Sequence, residues 1–418
     1  MMQTSQKFDW VIKGGRVMDP ANGLDGSYDV AVRAGRIAGV EVGLDPRQAD
    51  NVYDAGGRLV VPGLIDLHVH GYHLATPLGV HADHYCLGRG VTTAVDAGSS
   101  GCDTFPGFRA FAAERFRTRV LAFLNISRTG LSFAGPGGVD MPGELETLKL
   151  VSVSDCVNCV SSNRDLLVGV KIRLSDTIAD SGQNEPESYR RALEAAAGAG
   201  VPLMVHHSFS TVPLEECPGR MTGGDIYTHV YHGYPSTIVD PEQNQVHPAV
   251  RMARDNGVLF DIGHGMGAFN WTVGEICAAE DFWPDTISTD LHALTCEGPA
   301  YDLPAVMTRL LRLGMPLEEV VRRSTSVAAA AIGWEDRIGT LGIGREADIA
   351  VLELENVSEE LEDCHGQMRR IDRRLVPRAV WRAGERGAIT EPLCRSNRET
   401  IEAAKAWVPR LVVRDAPA

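Results

Sequence analysis

The sequence predicts an α/β protein: a (β/α)8 TIM-type barrel with a small β-sandwich domain formed from both chain ends. Three observations predict it. Eight short apolar, strand-like runs recur between residues 64 and 292, the number that a closed parallel barrel needs. Strand segments punctuated by turn residues stand outside those runs, at both ends of the chain. A length of 418 residues holds one barrel of roughly 250 residues with an appendage left over.

In order, Asp9–Ile12, Arg16–Met18, Tyr28–Val32 and Gly35–Ile37 read as strands. Gly14-Gly15, Asp19-Pro20 and Asn22-Gly23 separate them, so residues 1–62 form the first part of the sandwich. The barrel runs are Leu64–His70, Thr92–Gly98, Val120–Ser127, Val168–Leu174, Pro202–His207, Ile226–Tyr231, Val258–His264 and Thr286–His292, within a unit covering 63–335. Helical patterns lie between and after them. Glu187–Ala197 stops at Gly198 and Gly200, Pro248–Asn256 stops at Gly257, and Leu303–Leu313 and Leu317–Ile332 complete the ring. Residues 336–395, with the glycine-turned run Ile338–Leu352 and the strand Leu375–Trp381, return to the sandwich. Residues 396–418 read as a helical tail with a charged face.

A net charge of −15 repels nucleic acid and anionic lipid, which leaves a small molecule as the expected partner and a homo-oligomer as an open question. No uncharged apolar run approaches the roughly 20 residues of a membrane span, and Met1–Trp10 lacks the basic-then-apolar plan of a signal peptide; a cytoplasmic location is expected. Nine scattered cysteines suit reduced thiols better than a disulfide framework. Cys156-x-x-Cys159 has zinc-like spacing but no second pair to complete it. Gly14-Gly15 and Gly342-x-Gly344 are turn glycines rather than phosphate loops, and Gly98-Ser99-Ser100-Gly101 lacks the Gly-x-Ser-x-Gly order of a serine-hydrolase elbow.

Barrel chemistry sits where the strands end, and metal-capable side chains end most of these runs. The first supplies His68 and His70, two residues apart and hence on one strand face; the fourth supplies Lys171. The fifth offers His206 or His207, the sixth His229 or His232, the seventh His264, and the eighth Asp290 or His292. Of thirteen histidines, all but His365 fall within the expected barrel. Lys171 lies in the apolar context Val168-Gly169-Val170-Lys171-Ile172, where burial and neighbouring cations favour the neutral amine. That amine can take up carbon dioxide as a carbamate, an anionic donor able to bridge two metals.

Pro62-Gly63-x-x-Asp66-x-His68-x-His70, then Val-Gly-Val-Lys171, His206, His229 and Thr289-Asp290, in that order, resemble the amidohydrolase superfamily over nearly the whole chain. Asp261-Ile262-Gly263-His264-Gly265, Ser288–His292 and Phe123–Ser127 look like its deacetylase group, often described as dihydroorotase-like metallohydrolases. The resemblance implies that His68, His70 and Asp290 hold one divalent metal, that His206 and His229 hold another, and that carbamylated Lys171 bridges them. It also makes the choice of His206 over His207. Imidazole and carboxylate ligands suit zinc, manganese, iron or cobalt, with zinc the default.

The activity this implies is hydrolysis of an acyl amide or ester of a small molecule by attack of a metal-bridging hydroxide, such as deacetylation of an N-acyl amino acid or O-acyl hydroxy acid. Asp290 would move the proton and His264 would contact the substrate carbonyl or an adjoining carboxylate. His232 and His292 stand near enough in sequence to line the site, and Arg173 or Arg128 could receive a substrate carboxylate. A cyclic-amide hydrolase of dihydroorotase or hydantoinase type is the alternative. It is weakened because strict dihydroorotases usually carry an arginine two residues after the His-x-His pair, where this chain has Tyr72. A catalytically silent barrel serving as an assembly partner is the third reading, and the complete ligand set argues against it.

Overall fold

The computed structural model describes residues 7–132, 143–391 and 408–413. The turn-rich N-terminal region supplies β1 (Phe8–Asp19), β2 (Leu24–Arg33), β3 (Arg36–Glu41), β4 (Ala49–Asp54) and β5 (Leu59–Pro62). The barrel then takes β6 (Leu64–Val69), β7 (Val91–Gly101), β8 (Arg119–Asn125), β9 (Leu167–Leu174), β10 (Leu203–His207) and β11 (Ile226–Thr228). After a short hairpin, β12 (Val239–Asp240) with β13 (Gln245–Val246), comes β14 (Leu259–Asp261); β15 (Ile349–Glu362), β16 (Met368–Arg382) and β17 (Glu385–Gly387) belong to the C-terminal region.

β6, β7, β8, β9, β10, β11 and β14 pair side by side, all parallel. Every residue of β6 and β8 is buried, as strands covered on both faces require. The eighth run, Thr286–His292, closes the ring without becoming a regular strand. It bridges Asp261 through Thr286 on one edge and Val69 through Leu291 on the other. His70 N donates to Leu291 O at 2.8 Å, and Gly265 N donates to Thr289 O at 2.9 Å. Inside the ring Leu121, Phe123, Met204 and Ile226 pack with Ala328, Ala329 and Ile338, while Ala122, Leu124, Leu203 and Val205 join the surrounding helices in the main core.

The helices are α1 (Ala82–Tyr85), α2 (Phe105–Phe108), α3 (Val153–Ser162), α4 (Glu185–Ala199), α5 (Pro248–Asp255), α6 (Trp271–Ala279), α7 (Leu303–Leu313), α8 (Leu317–Arg323) and α9 (Ser326–Ala331). α4 begins two residues ahead of the expected start. Pro186 needs no amide partner in the first turn, and Glu185 and Glu187 favour the positive end of the helix dipole. The run Leu317–Ile332, expected as one helix, is two. Thr325 leaves helical geometry at φ −135°, and the break turns the Ser324 carbonyl to accept from Ile65 N at 2.9 Å, tying the last helices to the first barrel strand.

The two chain ends meet in a single sheet ordered β17-β16-β15-β5-β1-β2-β3, with β4 also paired to β1. β5 runs antiparallel to β15, Val60 opposite Val351, which joins the ends in space. Ile12, Val17, Val30, Val60, Ile349, Val351 and Trp381 form the core of this unit. The hairpin β15–β16 is long enough to reach back to the barrel, where Trp271 N donates to Asp363 Oδ2 at 3.1 Å and Cys364 N donates to Phe269 O at 3.2 Å. Of the expected tail, residues 396–407 and 414–418 lie outside the described residues; Val408–Arg410 forms one 3-10 turn. Among the described residues no helix is long and apolar enough to cross a membrane, and eight cysteines are unpaired thiols.

Arg119, at the start of β8, fastens barrel to sheet. Its buried guanidinium binds Asp348 and Glu346 and donates to Thr93 Oγ1 at 2.7 Å. Removing one partner of such a group strands charge in the interior, so Arg119→Met is expected to destabilise the protein by about 3–5 kcal/mol in chemical unfolding. Burial raises the Glu346 carboxyl, but the Arg119 charge and Arg337 outweigh it and leave it below its ordinary 4.5. A lowered folded-state value stabilises fully above the unfolded value, so the Arg119 contribution should fade as pH falls through that lowered value.

Candidate metal centre

The site forms where the barrel strands end. His68 and His70 project from the end of β6, and both Nε2 atoms face Asp290 Oδ1, at 3.3 and 3.1 Å. Lys171, from the middle of β9, is fully buried with Nζ 3.4 Å from His68 Nε2. His229 follows β11 directly, and its ring centroid lies 5.0 Å from that of His68 and 4.2 Å from that of His206. Ligand atoms of His68, His229 and Asp290 all lie within 4.8 Å of one another. His229 and Asp290 both adopt left-handed backbone, φ 69° and 49°, a conformation that costs a non-glycine residue energy and marks sites whose surroundings impose it.

Buried relays fix which nitrogen of each ring carries the proton. Thr228 donates its hydroxyl to Asp261 Oδ2 at 2.7 Å, so its oxygen accepts from His68 Nδ1 at 3.1 Å. Ser99 engages Asp96 and lies 2.9 Å from His70 Nδ1. His229 Nδ1 donates to Gly263 O at 2.6 Å. With Nδ1 protonated in all three, the Nε2 lone pairs converge on a carboxylate oxygen. Burial, followed by the Lys171 charge, pushes His68 well below its ordinary 6.5, and burial takes His229 to about 4; these rings are neutral. Burial alone would raise the Asp290 carboxyl; proton-bearing His68 and His70 would hold it well below 3.8, and with these rings neutral it is a bound cation that supplies the positive charge keeping it ionised. Burial lowers Lys171 to about 7 against the pull of Asp290.

Lone pairs facing an anion without a shared proton repel one another, and His229 Nε2, buried, has no hydrogen-bond partner among the described residues. A divalent cation resolves both problems, because it accepts imidazole lone pairs and carboxylate oxygen together. The donor set therefore fits the metal that the sequence implies.

Asp66, Asp96 and Asp261 are the supports to which the sequence reading gave no role. Asp66 accepts from Thr289 Oγ1 at 2.6 Å and Thr289 N at 3.0 Å, which sets the residue before Asp290. Asp261 also accepts from Ser288 and Thr286. Asp66 and Asp261 stand inside the quoted motifs, a signal that could have found them. Close packing matters equally: a Cβ on Gly98 (φ +88°) would meet Lys171 Cγ at 2.8 Å, and one on Gly265 (φ +54°) would meet Asp290 Oδ2 at 2.6 Å.

The remaining candidates separate clearly. His207 points away from the cluster, bound to Tyr227 Oη at 2.9 Å and Val212 O at 2.9 Å, whereas His206 packs on His229 with Nε2 2.7 Å from Ser208 Oγ. His264 is buried, stacked on Phe269 at 5.0 Å, and donates from Nδ1 to Gly265 O at 3.0 Å; its Nε2 has no partner among the described residues. That tautomer makes Nε2 an acceptor, suited to an N–H or O–H rather than to a carbonyl oxygen. His232 Nδ1 accepts from Tyr234 N at 3.2 Å, and the His292 ring lies 6.1 Å from that of His70. Arg173 is half-buried and doubly bound to Glu144, at 2.5 and 2.7 Å. Arg128 is held by Asp103 and Asp155.

The amidohydrolase family profile matches residues 59–386. A deacetylase of Agrobacterium fabrum is 33% identical over 344 residues, 82% of each chain, and a deacetylase of Brucella anthropi is 31% identical over 358 residues, 85% of this chain and 86% of that one. Among solved structures, a dihydroorotase is similar at 30% identity and an adenine deaminase at 28%, each with a TM-score of 0.83 over 91% of this chain and 99% of the other. With the profile spanning most of its length and every residue of the candidate metal centre inside that span, the chain belongs to the amidohydrolase family and is a hydrolytic enzyme.

Proposed function

We propose that this hydrolase removes an acyl group, in the first instance acetyl, from a small amide or ester. N-acyl amino acids and O-acyl hydroxy acids are the substrate class. The observation that carries the metal-dependent part is the convergence of the His68, His70 and His229 Nε2 lone pairs on Asp290 beside a buried, neutral-leaning Lys171. The acyl-transfer part rests on the deacetylase relatives, which match over most of both chains.

His68, His70 and Asp290 would hold one cation and His206 and His229 a second, with Lys171, as its carbamate, between them. When bound, such cations polarise a carbonyl and lower the pKa of water from about 15.7 towards 7. Zinc is the default metal. Asp290, kept ionised, accepts a proton at Oδ1 or Oδ2 and returns it to the departing nitrogen or oxygen. The Asp261–Thr228 and Asp96–Ser99 relays keep His68 and His70 in one orientation throughout. His264 Nε2 accepts from the leaving N–H or O–H and so orients it.

The test is acetate release from a panel of N-acetyl amino acids and O-acetyl hydroxy acids by zinc- or manganese-loaded protein. Turnover that disappears with a chelator and returns with metal is expected. Ring opening of dihydroorotate or hydantoins, with no acetate released from any panel member, would replace this reading by the cyclic-amide one. The dihydroorotase relatives matched by sequence cover only 47% of this chain.

A further inference from the structure

We infer that Arg410, carried to the barrel mouth by the C-terminal segment Val408–Val413, is a specificity-determining residue that binds an anionic group, a carboxylate, on the substrate. The inference rests on the deacylase reading for the identity of the reaction, but its evidence is separate.

The segment is anchored at the strand ends. Val412 N and Val413 N both donate to Gly233 O, at 2.8 and 3.2 Å, four residues beyond His229. Leu411 and Val413 are buried, and a Cβ on Gly233 would meet Val413 O at 3.1 Å and Leu411 Cδ2 at 3.2 Å, so glycine makes the seat. This docking sets the Arg410 guanidinium 4.2 Å over the Phe209 ring, with Nη2 2.7 Å and Nη1 3.5 Å from Asp176. Phe209 lies three residues after His206 and Asp176 five after Lys171, so all three groups stand at the C-terminal, catalytic ends of β10 and β9. Phe209 holds left-handed backbone, φ 55°, costly for a bulky residue, and its ring packs on Tyr234 at 3.8 Å.

Arg410 differs from the other arginines considered for this role. Arg173, 19% exposed, is neutralised in a bidentate pair with the buried Glu144, and two carboxylates clamp Arg128. The Arg410 side chain is 35% exposed and its partner Asp176 30%, so their pairing is weak and exchangeable. A planar guanidinium stacked on an aromatic ring keeps a donor edge for a carboxylate. In a chain of net charge −15, a cation at the mouth also offsets the repulsion an anionic substrate meets.

The test compares N-acetyl amino acids and O-acetyl hydroxy acids with their primary amides, in wild type, Arg410→Met and Arg410→Lys, all metal-loaded. In Arg410→Met the carboxylate-to-amide ratio of kcat/KM is expected to fall about tenfold to a hundredfold through KM, with Arg410→Lys recovering part of it. Asp176→Asn should shift the ratio the other way by removing the competitor. Acetate release with a ratio unmoved in Arg410→Met overturns the inference and leaves the deacylase reading standing. If no acetate is released from either member, that reading fails, and the inference is then decided by thermal shift with N-acetylglycine. Stabilisation lost in Arg410→Met supports it; stabilisation retained in Arg410→Met, or absent from wild type, overturns it.

Discussion

Lys171→Ala is expected to lose more than about a thousandfold in kcat/KM, roughly 4 kcal/mol of transition-state stabilisation, and to purify with at most one equivalent of metal per chain. Lys171 is fully buried with Nζ 3.4 Å from His68 Nε2, so its removal opens a hole beside that imidazole. Alanine supplies no oxygen donor to fill it. Propionate or formate should restore part of both activity and metal content in the variant, because a small carboxylate can occupy the place of the carbamate. Elemental analysis beside steady-state kinetics reads both effects. Full turnover in the variant would remove the lysine carbamate from the mechanism.

Asp290→Asn is expected to lower kcat by about a hundredfold to ten-thousandfold, the range typical of a lost general acid–base group, while thermal unfolding moves little. The substitution keeps side-chain shape, and asparagine tolerates the left-handed backbone that Asp290 adopts at φ 49°. The loss of charge is what changes. An amide cannot take the proton that Asp290 is held ionised to accept, and it binds a divalent cation more weakly than a carboxylate. Equal losses in kcat and in folding stability would instead mean that Asp290 serves the barrel closure, where the adjoining Leu291 bridges Val69.

Much of this architecture was legible in residue order. The apolar runs of the barrel, the α7 span Leu303–Leu313 and the pairing of both chain ends follow from local periodicity and turn residues, which need no knowledge of the partner element. Where local pattern and structure part, the reason is tertiary. Thr286–His292 reads as a strand but contributes single bridges, because it must meet β14 and β6 while turning Asp290 inward. The pattern over Leu317–Ile332 is helical throughout, yet the chain breaks so that the Ser324 carbonyl can receive Ile65 N.

The sequence by itself determined the chemistry available here: which strands carry imidazole, amine and carboxylate, and that they end at one rim, because strand order and side-chain type are local properties. Only the tertiary structure decided what those groups can do. Asp261 and the Gly263 carbonyl at the end of β14 and Asp96 within β7 select the tautomers of His68, His229 and His70, and burial sets the charge of Lys171. The distant Val408–Val413 segment brings Arg410 to the mouth. Proton position and charge depend on neighbours far away in the chain, and those neighbours exist only once the barrel has closed.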